Sequence, residues 1–388
     1  MTPADEAAPA PPSQADADTP LRVGVVAIGR NEGQRLERCL RALVSADPAD
    51  GVEAVVYVDS GSTDGSVAFA ESLGVAVVEL DLDRPFTAAR ARNAGVAALD
   101  AGRGRFRGGG AEADASVEPP AAYFFIDGDC ELVPGFLAAA AEAMRGGGGA
   151  GPGVVAVGGR RRERFRDASP YNRLCDMEWD RPTGEVTFFG GEGLVDRSAF
   201  HAVGGFDGTL IAGEEPELCL RLRKAGGRIW TVDHDVAVHD ADMHQFGQWW
   251  KRAERAGHAY AEGHAVNRAA GDGSAKAYYA REVRSILAYG LGVPAWVVGL
   301  TAAGLASGAW WLAAAGGAGL LAYPVLFWRV YRFRRSRGDG RSDASLYARY
   351  TVLGKFAGLM GLLRYRWNRL RGTRQVLMEY KAPAGGAA

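Results

Sequence analysis

Cysteine is scarce in this sequence: four residues in 388, at Cys39, Cys130, Cys175 and Cys219, with no C-x-x-C pair. That spacing excludes a disulfide framework and a cysteine-built zinc site. No secretory signal pattern opens the chain, so the expectation is reduced thiols in a cytosolic domain. Large apolar side chains are nearly absent from residues 1–20, which are mostly Ala, Pro and Asp and are expected to be disordered. No G-x-G-x-x-G follows the first apolar run, where "GRNEG" stands instead, and this counts against a dinucleotide cofactor. The later run "RGGGGAGPG" (145–153) lacks the Lys-Ser/Thr of a phosphate loop and reads as a linker. No cluster interleaves basic residues with base-stacking aromatics, so nucleic acid is not an expected partner.

Charge is missing altogether from Ser285 to Trp328. As one helix, about 44 residues would be roughly 66 Å long, twice the roughly 30 Å hydrocarbon core of a bilayer. Two transmembrane helices over 285–328 are expected instead, turning near Ala306, Ser307 and Gly308. Arg281 and Arg284 flank one end, and Arg329, Arg332, Arg334, Arg335 and Arg337 the other. Both ends are therefore expected in the cytoplasm, together with the preceding domain, at the cytoplasmic (inner) membrane. The near-neutral net charge of −1 hides an asymmetry. Residues 329–388 hold 14 Lys and Arg against 3 Asp and Glu, which favours an anionic lipid surface. Within that basic cytoplasmic tail, "TVLGKFAGLMGLLRYRWNRLRG" reads as an amphipathic helix lying in the interface plane.

What is present is an alternation of short apolar runs with helical patterns. "LRVGVVAIG" is a strand; Leu36, Leu40, Leu43 and Val44 follow at helical spacing. "AVVYVD", "VAVVEL" and "YFFI" are further strands, with helices over "VAFAESL" and "TAARARNAGVAAL" between them. Strands apolar on both faces, separated by helices, predict an α/β fold: a Rossmann-like, mostly parallel sheet covered on both sides. The domain is expected over 21–265, with a Gly-, Arg- and Glu-rich flexible insertion at 101–120. Ligands in such folds bind where the C-terminal strand ends open into loops. Asp59, and Asp127 in "YFFIDGDCEL", each end a strand and should share that crevice. Paired carboxylates there can hold a hard divalent cation that shares substrate phosphates. D-x-D also occurs at Asp16, Asp81 and Asp240, but only Asp127-Gly128-Asp129 follows a buried strand.

The blocks "VVAIGRNEGQRLERCLRAL", "VVYVDSGSTDGS", "ARARNAG", "YFFIDGDCEL" and "GGEGLVDRSAFHAVGGFD…GEEPELCLRLRKAG" resemble, in order, those of family 2 glycosyltransferases of GT-A fold, across roughly 21–263. The resemblance implies a metal-dependent, inverting transferase of membrane-anchored bacterial type, with a nucleotide-diphosphate sugar as donor and Mg²⁺ or Mn²⁺ as cofactor. It sets Asn31 and Glu32 against the nucleoside, Asp59 against the base, and Arg90 and Asn93 near nucleotide and sugar. Asp127 would contact ribose or sugar, Asp129 the metal, and Glu215 would be the catalytic base. Inverting transfer needs such a carboxylate to take the acceptor's proton. Glu214 competes for that role, and Glu214, Glu215 and Glu217 equally suit a helix N-terminus. His239 either completes the metal shell or is structural.

Bilayer proximity points to a lipid-linked or cell-envelope glycan acceptor. A processive polysaccharide synthase would need more spans, and "QFGQWWKR" places Gln248 where its Q-x-x-R-W motif has Arg; Trp249 and Trp250 either sit at the interface or pack. A non-catalytic nucleotide-sugar-binding scaffold would tolerate loss of the base. A nucleotidyltransferase would want a basic Gly-rich first loop.

Overall fold

The computed structural model describes residues 19–84, 86–104, 118–269 and 278–372; most of the N-terminal tail and of the 101–120 insertion lies outside them. In chain order the elements are β1 (Val23–Gly29), α1 (Gln34–Val44), β2 (Val52–Asp59), α2 (Ser66–Ser72), β3 (Ala76–Glu79), α3 (Ala88–Asp100), β4 (Ala122–Asp127), β5 (Cys130–Leu132), α4 (Phe136–Met144), β6 (Val154–Glu163) and α5 (Pro170–Trp179). There follow β7 (Gly184–Val186), β8 (Gly193–Asp196), α6 (Arg197–Ala202), α7 (Glu214–Lys224), β9 (Arg228–His239), α8 (Phe246–Ala269), α9 (Ala280–Ile286), α10 (Val293–Ser307), α11 (Trp310–Ala318), α12 (Ala322–Ser336) and α13 (Arg341–Arg371).

The strands form one sheet in the order β3-β2-β1-β4-β8-β6-β9-β5, with β7 on β9. From β3 to β4 every pairing is parallel, as the apolar runs predict. Beyond β4 the sheet departs from the mostly parallel expectation: β8 is antiparallel to both β4 and β6, while β6 and β9 run parallel. One face buries Leu36, Leu40, Ala70, Phe136 and Leu137 from α1, α2 and α4. The other buries Val96 and Leu99 of α3, Phe200 of α6, and Leu218 and Leu222 of α7. Both sheet faces are therefore covered, which is why β1 and β4 carry no alternation.

Two registers place the site. Ile28 of β1 lies opposite Asp127 of β4, so the loop after β1 meets Asp127-Gly128-Asp129 at one sheet end. Cys130 pairs with His239, which sets Asp129 beside that imidazole.

At the C-terminal end two helical stretches, Ala280–Ser307 and Trp310–Ser336, are long and apolar enough to cross a membrane. The first passes through a π-helical segment (Leu287–Gly292), and Gly308 (φ 71°) breaks the chain at the expected turn. The amphipathic segment is part of α13, a 31-residue helix that docks one face on α8 and α9. Its other side exposes Leu353, Met360, Leu363, Trp367 and Leu370. These positions fall on one helical stripe about 100° wide.

The α8–α13 contact is backbone on backbone. A Cβ at Gly361 would stand 2.0 Å from the Glu254 carbonyl oxygen, and one at Gly257 2.3 Å from that of Gly358. Replacing Gly361 by Leu is therefore expected to push α13 off α8, at a cost of about 1–3 kcal/mol or more. Limited proteolysis in detergent should cut the variant within α13 before the parent chain, with a lower unfolding temperature. Parental protection would rule out so close an approach.

Candidate active site

The loops after β1 and β4 open into a cavity of about 940 Å³. Asn31, Glu32, Asp127, Asp129 and His239 all line it. Asn31 adopts a left-handed conformation (φ 54°), its amide donating to Ser62 Oγ (2.9 Å) and its side-chain oxygen accepting from the Thr63 amide (2.7 Å). The β1 and β2 loops are thereby stitched together. Glu32 accepts from Arg35 Nε at 2.8 Å.

Asp129 and His239 form the deepest part of the cluster. Asp129 Oδ2 is 3.4 Å from His239 Nε2, and His239 Nδ1 is 3.2 Å from Glu163 Oε2. Glu163 is itself fixed by Asn172 and the Ala241 amide, so the ring is held from behind. Trp179 packs edge-on against it at 4.6 Å. Cys130 Sγ donates to Asp129 Oδ1 and to Glu192, both at 3.3 Å. Burial, with Glu192 and Asp129 adding to it, pushes the Cys130 thiol pKa well up, so it is a hydrogen-bond donor to Asp129. Asp129, Cys130 and His239 offer ligand atoms within 4.8 Å of one another. A carboxylate oxygen and an oriented imidazole suit a small divalent cation, and the Nδ1 carboxylate is the support that metal-binding histidines commonly have.

Arg92, which the sequence reading passed over, organises the Asp127 side. It is 3% exposed. Nη2 donates to Asp127 Oδ1 at 2.8 Å and Nη1 to Glu214 Oε1 at 2.5 Å. Burial alone would depress its pKa, but Asp127 and Glu214 more than offset this and raise it. Arg161 pairs likewise with the buried Glu192, under the metal-side cluster.

Three expected ligand residues point elsewhere. Arg90 donates to the carbonyls of Arg84 (2.9 Å) and Asp81 (3.1 Å), outside the cavity lining; the arginine that reaches Asp127 is Arg92. Residues two apart on a helix face nearly opposite ways, so only one of the pair can turn inward. Asn93 exchanges hydrogen bonds with the Phe206 backbone and staples that loop to α3. Asp59 is 2% exposed, and its oxygens accept from Tyr57 Oη and the amides of Gly61 and Ser62. It shapes the β2 loop from within.

Glu215 Oε1 accepts from the amides of Phe189 (2.7 Å) and Gly190 (3.0 Å) and from Cys219. Oε2 accepts no hydrogen bond among the described residues, and the buried Glu215 is not among the residues that line the cavity of Asp127 and Asp129. Burial raises its pKa, with Arg181 opposing. Gln248 caps α8, its Oε1 accepting from the amides of His244 and Gln245, and Trp249 packs on Tyr350 of α13.

Residues 25–102, spanning β1 to the end of α3, match the family model of glycosyl transferase family 2. That stretch is similar in sequence to the family. Succinoglycan biosynthesis protein ExoA of Rhizobium meliloti (strain 1021) is 31% identical over 220 residues, 54% of this chain and 60% of that protein. The alignment thus spans less than two thirds of the relative's length. A mannosyltransferase from Pyrobaculum calidifontis, solved in complex with GDP-Man and Mn²⁺, superposes over 91% of this chain and 89% of its own. Its TM-score is 0.52 at 19% identity, a likeness of fold. The chain thus has a GT-A fold, followed by two apolar helices able to form a hairpin.

Proposed function

We propose that the chain is a membrane-anchored, inverting glycosyltransferase that moves a sugar from a nucleotide-diphosphate sugar to a lipid-linked or cell-envelope glycan acceptor. The observation that carries this is the set Asp127, Asp129 and His239 lining one cavity, in a fold that matches the family 2 model over residues 25–102. Asp129 and His239 would hold Mg²⁺ or Mn²⁺, which when bound neutralises charge gathering on the departing nucleotide diphosphate. Asn31 and Glu32 border the same cavity and are assigned to the nucleoside. Asp127, oriented by Arg92, is assigned to ribose or sugar. The relative is a succinoglycan biosynthesis protein by name, in keeping with a glycan product. The domain is placed on the cytoplasmic face because arginines flank both ends of the hairpin.

Glu215 is assigned as the base. Its Oε1 is pinned by two amides while Oε2 makes no hydrogen bond among the described residues, and burial strengthens its hold on a proton. Glu214 is committed to Arg92, a poorer position for taking a proton. Glu215→Gln keeps an oxygen for both amides and is expected to bind donor normally while losing transfer by about 10²–10⁴-fold. Donor titration and product formation, with a panel of UDP, GDP and dTDP sugars, check both readouts. Equal loss of binding and transfer would reassign Glu215 to holding the 189–190 loop.

A further inference from the structure

The cavity continues past the carboxylates into a wing between α8, α9 and α13, where Arg255, Tyr260, Glu282, Ile286, Lys355 and Gly358 line it. Two cations there stand out because no carboxylate among the described residues pairs with them directly. Arg252, one turn before Arg255 on α8, is paired with Glu178 at 2.6 Å. Arg255 and Lys355 make no ion pair or hydrogen bond among the described residues. They flank the Gly257–Gly358 backbone contact, two and three residues away along their helices. Burial lowers the Lys355 pKa; Glu282 works against this and Arg281 with it. A partly desolvated ammonium that no carboxylate contacts is unfavourable, and an anion in the wing would add to the field that Glu282 supplies from a distance.

The surroundings say which anion. The wing is bounded by α9, which leads into the first candidate span, and by α13, whose outer stripe is apolar and exposed. A donor diphosphate is already provided for at the Asp129–His239 end. A second cationic position on helices that border the bilayer suits a phosphate carried by a lipid. We propose that Arg255 and Lys355 receive the phosphate or diphosphate of a lipid-linked acceptor, whose chain leaves between α9 and α13 toward the membrane. This rests on the glycosyltransferase reading and names the acceptor's chemistry at that same cavity. The acceptor's head is drawn toward the carboxylates by a contact that no donor atom makes.

The test uses the full chain in nanodiscs, with farnesyl diphosphate as probe, against inorganic pyrophosphate and farnesol. EDTA is present in the probe titrations alone, so that no probe is held by metal at Asp129; donor titrations are run separately with Mn²⁺. Farnesyl diphosphate is expected to bind at least tenfold more tightly than either control. Arg255→Gln and Lys355→Met should each weaken it about tenfold, with Mn²⁺-dependent donor Kd and unfolding temperature at parental values. Unchanged farnesyl diphosphate binding in both variants overturns the assignment. So does pyrophosphate binding equally well, or a loss of donor affinity in the variants, since either would give the two cations to the donor. Failure of the transferase reading would show separately, as absent metal-dependent donor binding in the parent chain.

Discussion

Asp129→Asn is expected to abolish metal-dependent donor binding and to lower transfer by at least about 10²–10³-fold, the range seen when one preorganised charge-stabilising group is removed. Asparagine keeps the size of the side chain and an oxygen toward the Cys130 thiol, 3.3 Å away, so the fold should survive. What it removes is the negative charge facing His239 Nε2 at 3.4 Å. Glu163→Gln makes a graded companion. It leaves both proposed ligands in place but weakens the support behind His239 Nδ1, and should cost about 10–100-fold in metal affinity. Titrating Mn²⁺ against donor binding, with thermal unfolding as control, separates the two. Parental metal dependence in Asp129→Asn would remove Asp129 from the ligand set.

The parallel half of the sheet was legible because β1, β2 and β4 are continuous apolar runs ending in polar loops. The antiparallel half was not: β7 and β8 have three and four residues, too short for any periodicity to declare itself. Asp129 could be read from its place after a buried strand, and His239 as a candidate, but the Glu163 carboxylate that orients the ring comes from 76 residues away. Arg90 and Arg92 show what separates a motif from its geometry. The block "ARARNAG" contains both; the deciding signal is that Arg92, Val96 and Leu99 share the buried stripe of α3 at helical spacing. Asp59 and Gln248 follow the opposite course. Asp59 was expected against the base, and Gln248 stands where the synthase motif has Arg. Asp59 accepts from the Tyr57 hydroxyl and two nearby amides, and Gln248 from two amides, as polar side chains at strand ends and helix starts often do.

The second large effect is expected at Arg92. One guanidinium, 3% exposed, bridges Asp127 and Glu214 and lies 5.6 Å from the Phe206 ring centroid. Arg92→Met would fill much of the volume but leave two carboxylates facing each other without a counter-charge. Breaking a buried pair from one side costs about 3–5 kcal/mol. The lower end applies, since the Asp127 side chain is 36% exposed and water can screen it. Lysine should not rescue the bridge, because one ammonium lacks the planar fork that reaches both acids. Arg90→Met is the matched control: it loses hydrogen bonds to two exposed carbonyls and should cost about 1 kcal/mol or less. Chemical unfolding of the three variants measures the gap. Equal stability of Arg92→Met and Arg90→Met would show that the bridge contributes nothing. A gap near 3 kcal/mol, with donor affinity falling only in the Arg92 variants, would identify one buried arginine as both the clamp on α7 and the support that aims Asp127 into the cavity.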